Sequence, residues 1–352
     1  MKVLMIGPSE TKAPGGMAAV IRGIRESGLL GREFEIHSFP SYIDGSLPLR
    51  LFYSAWAYFR FQWCFGKYDL FHIHVAERGS TFRKSFYLRT VKRAGKKAVV
   101  HIHGAEYLDF YDSLEGRRKQ IADDLFCQAD LVLALSESWK RELESRFPID
   151  TCRILCNGVD LVELEGAVTD NWQHRNSFLM LGRMGERKGT YDLIDAVELA
   201  LRQNPRLKVC LAGDGEVEKV RTLVAGRGLE EHIIVTGWIG RKEKLALLQK
   251  AATVVLPSYH EGLPMSVLEG MAAGKAIIST TVGGIPEAVT GENGILIKPG
   301  DVPALAESLL RCSSDRGLLL SMAQKNRERA EELFGIQRMH RNLAQYYRQL
   351  MQ

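Results

Sequence analysis

Two glutamates eight residues apart, Glu261 and Glu269, bracket the run Gly262-Leu263-Pro264-Met265-Ser266-Val267-Leu268. The run follows a strand-like stretch, Thr253 to Leu256, and the break Pro257-Ser258. That places Glu261 in a loop and Glu269 about one turn inside the next helix. Pro264 suits a first helical turn, where a missing N–H costs nothing. Backbone N–H groups of Leu263, Met265 and Ser266 would then point out of the helix start, which favours phosphate. Taken alone, the two carboxylates are as easily surface residues.

A second constellation, Gly182-Arg183-Met184-Gly185-Glu186-Arg187-Lys188-Gly189, follows the strand-like stretch Phe178 to Leu181. Glycines and three cations at a strand-to-helix turn suit a diphosphate, because charge-assisted bonds to phosphate are worth roughly 1.5 to 3 kcal/mol each. The GxxxxGK[ST] spacing of a P-loop is absent, and a basic solvent turn is the bland alternative. Gly15-Gly16, before a helical run from Met17, lets backbone approach a ligand or simply makes a flexible loop. His72, His74, His101 and His103 form two H-x-H strand ends whose members share a face. A metal site is conceivable there, but no acidic run joins them, and packed histidines are commoner. His103, followed by Gly104, is the better candidate as a neutral donor. Gly213-Asp214-Gly215 begins a dinucleotide fingerprint, but Glu218 holds the third glycine position, so a dehydrogenase is disfavoured. Gly283-Gly284-Ile285-Pro286-Glu287 could bring Glu287 to the same place or be an ordinary turn.

The elements that must position these residues alternate. Short apolar runs recur at Val3 to Ile6, Phe34 to His37, Leu70 to His74, Ala98 to His103, Leu131 to Leu135 and Arg153 to Cys156, each separated by enough chain for a crossover helix. The pattern restarts at Phe178 to Leu181, Lys208 to Ala212, Ile233 to Thr236, Thr253 to Leu256 and Ala276 to Ser279. Both halves read as parallel sheets with helices on both faces. The expectation is an α/β protein of two doubly wound, Rossmann-like domains facing a central cleft. Residues 157–176 read as a turn and linker. Helical patterns dominate after Asp301, a plausible N-cap.

The 352 residues, 45% hydrophobic and 25% charged, fit a soluble globular protein of two domains. A net charge of +5 suits an anionic substrate or membrane surface without requiring nucleic acid. Six cysteines without a CxxC pair suggest a reducing compartment and neither disulfides nor zinc. The first residues are too short an apolar run for a signal peptide. Leu49 to Gly66 carries Arg50, Arg60 and Gln62 and falls short of a membrane span of about 20 residues. These observations point to a cytoplasmic protein, peripheral to a membrane at most.

Taken in order, the glycine loop, His103-Gly104, Asn157-Gly158-Val159-Asp160, Gly182-Arg183 with Lys188-Gly189, Gly213-Asp214-Gly215, the E-x7-E of Glu261 and Glu269, and Gly283 to Glu287 resemble glycosyltransferase family 4. The resemblance implies the GT-B fold, a nucleotide diphosphate sugar as co-substrate with UDP as the default base, net retention at the anomeric carbon, and no cofactor. It implies an acceptor-binding domain at 1–165, a donor-binding domain at 166–335, and a final helix at 336–352 returning to the first. It makes Glu261, His103, Lys188 and Arg183 catalytic. Gly16, Arg183, Lys188, Gly262, Leu263, Pro264, Glu269, Gly213 and Trp238 would bind the donor. Arg183 and Lys188 would hold the diphosphate, Glu269 the ribose hydroxyls, and Glu261 the transferred sugar.

Elementary chemistry agrees. Breaking a sugar–phosphate bond builds negative charge on the diphosphate and positive charge on the anomeric carbon, which preorganised charges stabilise. No D-x-D sequence is present, so activity is expected without a divalent metal. An epimerase, a phosphorylase, or a non-catalytic nucleotide-binding partner of similar architecture are the alternatives. The acceptor is expected to be a glycan or lipid-linked. Eight aromatic residues between Leu49 and Gly66, beside Arg50 and Arg60, have the composition of an interfacial helix. The basic segment Arg83, Lys84, Arg89, Lys92, Arg93, Lys96 and Lys97 is expected to add attraction to anionic lipid. A core helix beside a solvated basic helix is the alternative.

Overall fold

The computed structural model describes every residue except Pro14. The chain divides into two units, Met1–Gly158 with Ile336–Gln352, and Val159–Gly335. The division falls earlier than the expected boundary at 165/166. Residues after Gly158 already belong to the second unit, because the Val159 N–H donates to the Phe334 carbonyl at 2.8 Å. Within the expected linker, Asp160 caps a short helix by accepting from the N–H groups of Val162 and Glu163.

In the first unit the elements run β1 (Lys2–Pro8), α1 (Gly16–Arg25), β2 (Glu35–Tyr42), α2 (Leu47–Cys64), β3 (Leu70–Val75), α3 (Gly79–Arg93), β4 (Lys97–Ile102), α4 (Tyr107–Asp112), α5 (Gly116–Cys127), β5 (Leu131–Ala134), α6 (Glu137–Arg146) and β6 (Cys152–Ile154). The strands form one parallel sheet of order β2-β1-β3-β4-β5-β6. Its middle strands are buried on both faces, as a sheet covered on both sides requires, and β3 and β4 carry His72, His74 and His101 among the apolar residues of one face. On one face Phe71, Ile73, Val100 and Ile102 pack with Phe61 of α2 and Tyr87 of α3. On the other, Val3, Met5, Leu70, Val99 and Leu131 pack with Ile21 and Ile24 of α1 and with Met339, Leu343 and Tyr347 from the end of the chain.

The second unit contains α7 (Leu161–Glu165), β7 (Ser177–Leu181), α8 (Thr190–Leu201), β8 (Lys208–Ala212), α9 (Val217–Gly226), β9 (Ile233–Gly237), α10 (Arg241–Lys250), β10 (Thr253–Leu256), α11 (Met265–Ala272), β11 (Ala276–Thr280), α12 (Ile285–Ala288), β12 (Gly294–Ile297), α13 (Val302–Ser314) and α14 (Arg316–Arg329). The helix α15 (Ile336–Met351) then joins the first unit. The second sheet is parallel, of order β12-β11-β10-β7-β8-β9. Read from its β9 edge, this is the dinucleotide-fold order, with the switch point between β7 and β10. The edge strand β12 goes beyond the five strands expected. It is four residues long behind a turn, too short to announce itself. Asp301 caps α13 through the Ala304 N–H.

The aromatic segment is a helix with two faces. Phe52, Trp56, Phe59 and Trp63 recur at helical spacing within an arc of about 60°, and are 73%, 45%, 67% and 88% exposed. Ala57 and Phe61 face the core. Arg60 lies over the rings of Phe39 and Trp56, and Arg50 approaches the Tyr42 hydroxyl from the inner side.

The basic segment is also not a free cationic surface. Lys84 is fully buried, donating to the Ile6 carbonyl at 2.8 Å and the Ser41 hydroxyl at 2.5 Å. Arg89 pairs with Asp124, Lys92 and Lys97 share Asp130, and Lys96 donates to the carbonyls of Gly66 and Tyr68. Two carboxylates on neighbouring elements thus pair with three of its cations, and neutral oxygens engage two more. Among the described residues no helix is long and apolar enough to cross a membrane.

Candidate active site

At the switch point of the second sheet, the loops after β7 and β10 lie against one another. The Tyr259 N–H donates to the Arg187 carbonyl at 2.9 Å, and the Arg187 guanidinium donates to the His260 carbonyl at 3.0 Å. This interlock brings Lys188 Nζ to 2.5 Å from Glu261 Oε1, with side chains only 13% and 5% exposed. The hydroxyl of Ser258 donates to the same carboxylate oxygen at 2.6 Å. Glu261 is therefore held by a cation and a hydroxyl, which meets the demand for pairing a buried charge.

The loop after β11 closes the other side of Glu261. Gly283 sits at φ +55°, and a Cβ there would lie 1.9 Å from the Glu261 carbonyl oxygen. The Gly284 N–H donates to the Gly262 carbonyl at 2.6 Å. Gly213 has a corresponding role after β8, where a Cβ would lie 1.9 Å from the Gly182 carbonyl oxygen. Only glycine permits these approaches.

Pro264 precedes α11 as its N-cap, one position before the first helical turn in which the sequence predicts it. Leu263 is buried behind it. Glu269 is one turn into α11 and pairs with Lys244 of α10 at 2.5 Å. Burial pushes the Glu269 carboxyl above its ordinary range, and the Lys244 ammonium opposes that rise. Arg183 is exposed and pairs with Asp214 at 3.2 Å. Trp238 follows β9 and is 67% exposed. The structure thus brings Glu261, Gly262 and Lys188 into contact at one switch point, with Glu269 on the helix that follows. Arg183 and Gly213 line its β8 side, and Trp238 lies outside the direct contacts.

Two polar partners had no separate signal in the sequence. Ser258 was visible only as part of a break, and Lys244 lies on another helix.

In the first unit, His103 follows β4, and its Nε2 lies 2.9 Å from His74 Nδ1. His72 Nε2 is 3.2 Å from His101 Nδ1, and His72 Nδ1 is 2.6 Å from the Tyr347 hydroxyl. Burial pushes His72 and His103 down to about 3, and holds His74 and His101 well below their ordinary range. All four are neutral at physiological pH. One nitrogen from each of His72, His74 and His101 falls within 4.8 Å of the others. Hydrogen bonds already engage several of these nitrogens, while Nε2 of His74 and Nε2 of His101 are buried without a partner. Gly16 opens α1 and is exposed, with open space where a Cβ would stand.

Residues 168–330 match the family model for glycosyl transferases group 1, and residues 17–163 match that for glycosyltransferase family 4. The amylovoran biosynthesis glycosyltransferase AmsK of Erwinia amylovora is 27% identical over 291 residues, covering 80% of this chain and 70% of AmsK. The putative colanic acid biosynthesis glycosyltransferase WcaL of Salmonella typhimurium is 29% identical over 286 residues, covering 78% of this chain and 69% of WcaL. Among solved structures, sucrose-phosphate synthase from Thermosynechococcus elongatus matches with a TM-score of 0.81 at 20% identity over 99% of both chains. Anabaena Alr3699/HepE in complex with UDP-glucose matches with a TM-score of 0.78 at 20% identity, over 99% of this chain and 100% of that one. At such identity the two structures speak for the fold, two doubly wound domains of the GT-B type.

Proposed function

Since the chain belongs to glycosyltransferase family 4, we propose that it moves a glycosyl group, with retention, from a nucleoside diphosphate sugar to a lipid-linked saccharide during polysaccharide assembly. The observation that carries the donor half is the buried Lys188–Glu261 pair, with Ser258, at the switch point of the second sheet. Open α/β sheets bind nucleotides at that position. UDP is the default base, since relatives in fold are described with UDP and UDP-glucose. The names of AmsK and WcaL support polysaccharide assembly.

In this reading Lys188 and Arg183 neutralise the departing diphosphate, and Glu269 accepts from the ribose hydroxyls. The bond from the anomeric carbon to the phosphate oxygen breaks while Glu261 stabilises positive charge on the sugar. The acceptor hydroxyl attacks the same face, and its proton passes to the phosphate oxygen that leaves. His103, neutral by burial, donates a hydrogen bond to the sugar. The cations take the role a divalent ion would have, so turnover persists in EDTA.

The exposed stripe of Phe52, Trp56, Phe59 and Trp63 supports a membrane surface as the place where the acceptor is met. Incubation with UDP-, GDP- and ADP-sugars and isoprenoid-linked saccharides, followed by product analysis, tests the proposal. An α-linked extension from an α-configured donor is expected. Release of free sugar without extension, or no turnover with any donor, would overturn it.

A further inference from the structure

The first unit contains a cavity of about 330 Å³ at the carboxyl ends of β1, β2 and β3. Its wall includes Tyr42, Arg50, Glu77, Ser80, Arg83 and Lys84. Three polar atoms in this wall are buried without a hydrogen-bond partner: Nε of Arg50, Nε of Arg83 and Oε2 of Glu77. A buried polar group without a partner is costly, so a cluster of three marks a cavity wall whose charged side chains the fold alone leaves incompletely bonded.

The chemistry of a ligand for that wall follows from the charges. Neither arginine pairs with a carboxylate among the described residues, although Arg83 lies over the Tyr42 ring with 4.8 Å between guanidinium carbon and ring centre. Lys84 is committed to the Ile6 carbonyl and the Ser41 hydroxyl. Two guanidiniums therefore face one carboxylate, leaving the wall net positive. The helix α3 begins in the same wall, and its first turn adds partial positive charge. Just before it, Arg78 is held at φ 59°, the single non-glycine residue with positive φ among those described. Strain of this kind persists only where the surroundings hold it, and it clusters at ligand sites.

Two forked cations suit phosphate oxygens, and a lone carboxylate suits a hydroxyl donor. A glycosyl phosphate or diphosphate offers both. The source is indicated by α2, which contributes Arg50 to the cavity from its inner face and presents Phe52, Trp56, Phe59 and Trp63 outward. We propose that this cavity is the acceptor subsite, in which Arg50 and Arg83 hold the phosphate or diphosphate of an isoprenoid-linked saccharide and Glu77 accepts from a sugar hydroxyl. This deepens the function proposed above and rests on it for the identity of the acceptor. It does not rest on it for the anion site itself.

The test is calorimetric titration of the full-length protein with farnesyl diphosphate and with inorganic pyrophosphate, before and after saturation with UDP. Farnesyl diphosphate should bind with UDP already present, and at least tenfold more tightly than pyrophosphate. Arg50→Gln and Arg83→Gln should each weaken it about tenfold or more, the loss of one charge-assisted fork, while UDP affinity stays within twofold. Arg50 lies on the inner face of a helix packed mainly through Ala57 and Phe61, so its variant stands as the second test if Arg83→Gln does not fold. Unchanged affinity in the arginine variants, or loss of farnesyl diphosphate binding in Lys188→Ala alone, would overturn the cavity as the site. Equal affinity for pyrophosphate would overturn the lipid link. Failure of UDP to bind, with farnesyl diphosphate binding still sensitive to Arg50 and Arg83, would instead strike the donor reading and leave the cavity standing.

Discussion

Lys188 and Glu261 are separated by 73 residues in sequence, yet the ammonium and carboxylate meet at 2.5 Å, each on a loop at the carboxyl end of its own strand. The pair gives one side chain two tasks. Lys188 holds the carboxylate in this structure, and in the proposed mechanism it would share itself with a diphosphate when a donor arrives. Glu261 stays anchored meanwhile by Ser258.

Replacing Glu261 by glutamine removes the charge that would act on the anomeric centre and frees Lys188 for phosphate. Turnover should fall at least a hundredfold, as for loss of a group acting mainly in the transition state. UDP affinity should hold or rise a few-fold. Calorimetry beside steady-state kinetics checks both, and wild-type turnover would remove Glu261 from the mechanism.

Lys188→Ala removes the cation that pairs with the buried Glu261 carboxylate. Breaking one partner of a buried pair costs roughly 3 to 5 kcal/mol, so stability and UDP affinity should both drop. Adding Glu261→Gln to that variant should recover much of the stability and none of the turnover. Chemical denaturation of the four proteins reads the cycle. Additive stability losses would mean the pair is not coupled.

Gly283→Ala places a methyl group against the Glu261 carbonyl at a backbone angle that costs an alanine roughly 1 to 2 kcal/mol. The loop after β11 must retreat, and Glu261 moves with it. A displacement near 1 Å is worth about a hundredfold in rate. Turnover should fall by that order with UDP affinity changed less. A variant with unchanged melting temperature and turnover would show that the contact is not needed.

Acid should loosen the first unit before the second. His72, His74 and His101 are fully buried, with folded pKa values pushed below their ordinary 6.5. Between pH 6.5 and about 3 the unfolded chain binds the protons and the folded one does not. Stability is therefore full above 6.5 and declines as pH falls through that value, by about 2 kcal/mol between pH 7 and 5 for His72. Hydrogen exchange at pH 7 and 5, corrected for intrinsic rate, should show protection lost from β3 and β4 but retained in β7 and β10. Equal behaviour of the two sheets would contradict this.

Vesicle binding should depend on the outer stripe of α2. Phe52→Ser with Trp63→Ser should abolish co-sedimentation. Changing Lys92, Arg93, Lys96 and Lys97 to glutamine should have little effect, because three of those cations are already paired or bonded within the fold. Moderate salt should weaken binding only slightly. Loss of binding in the glutamine variant alone would restore the charge-based reading.

The strands were legible because buried parallel strands are nearly continuous apolar runs. Lys208–Ala212 and Thr253–Leu256 coincide with the expected spans. Glu261 and Lys188 could be picked out as residue types in glycine-rich turns, but their contact could not, since it depends on which strands neighbour each other in the sheet. The basic segment misled for the same reason. Asp124 and Asp130 pair with three of its cations from over 30 residues away, a distance at which charge counting along the chain carries no information. The cavity around Arg50 and Arg83 joins three strand ends and three helices, and has no continuous signature.

The helix α15 has a consequence for how the protein is made. It contributes Met339, Leu343 and Tyr347 to the first unit, and the Tyr347 hydroxyl reaches His72 across 275 positions of sequence. On the ribosome, the second unit has all its strands before that helix emerges. The first unit must wait, with one face of its sheet only partly covered, until the whole second unit has been made. A premature stop between Gly335 and Tyr347 would therefore leave the later-synthesised unit whole and the earlier one unfinished, an apolar surface for chaperones to hold.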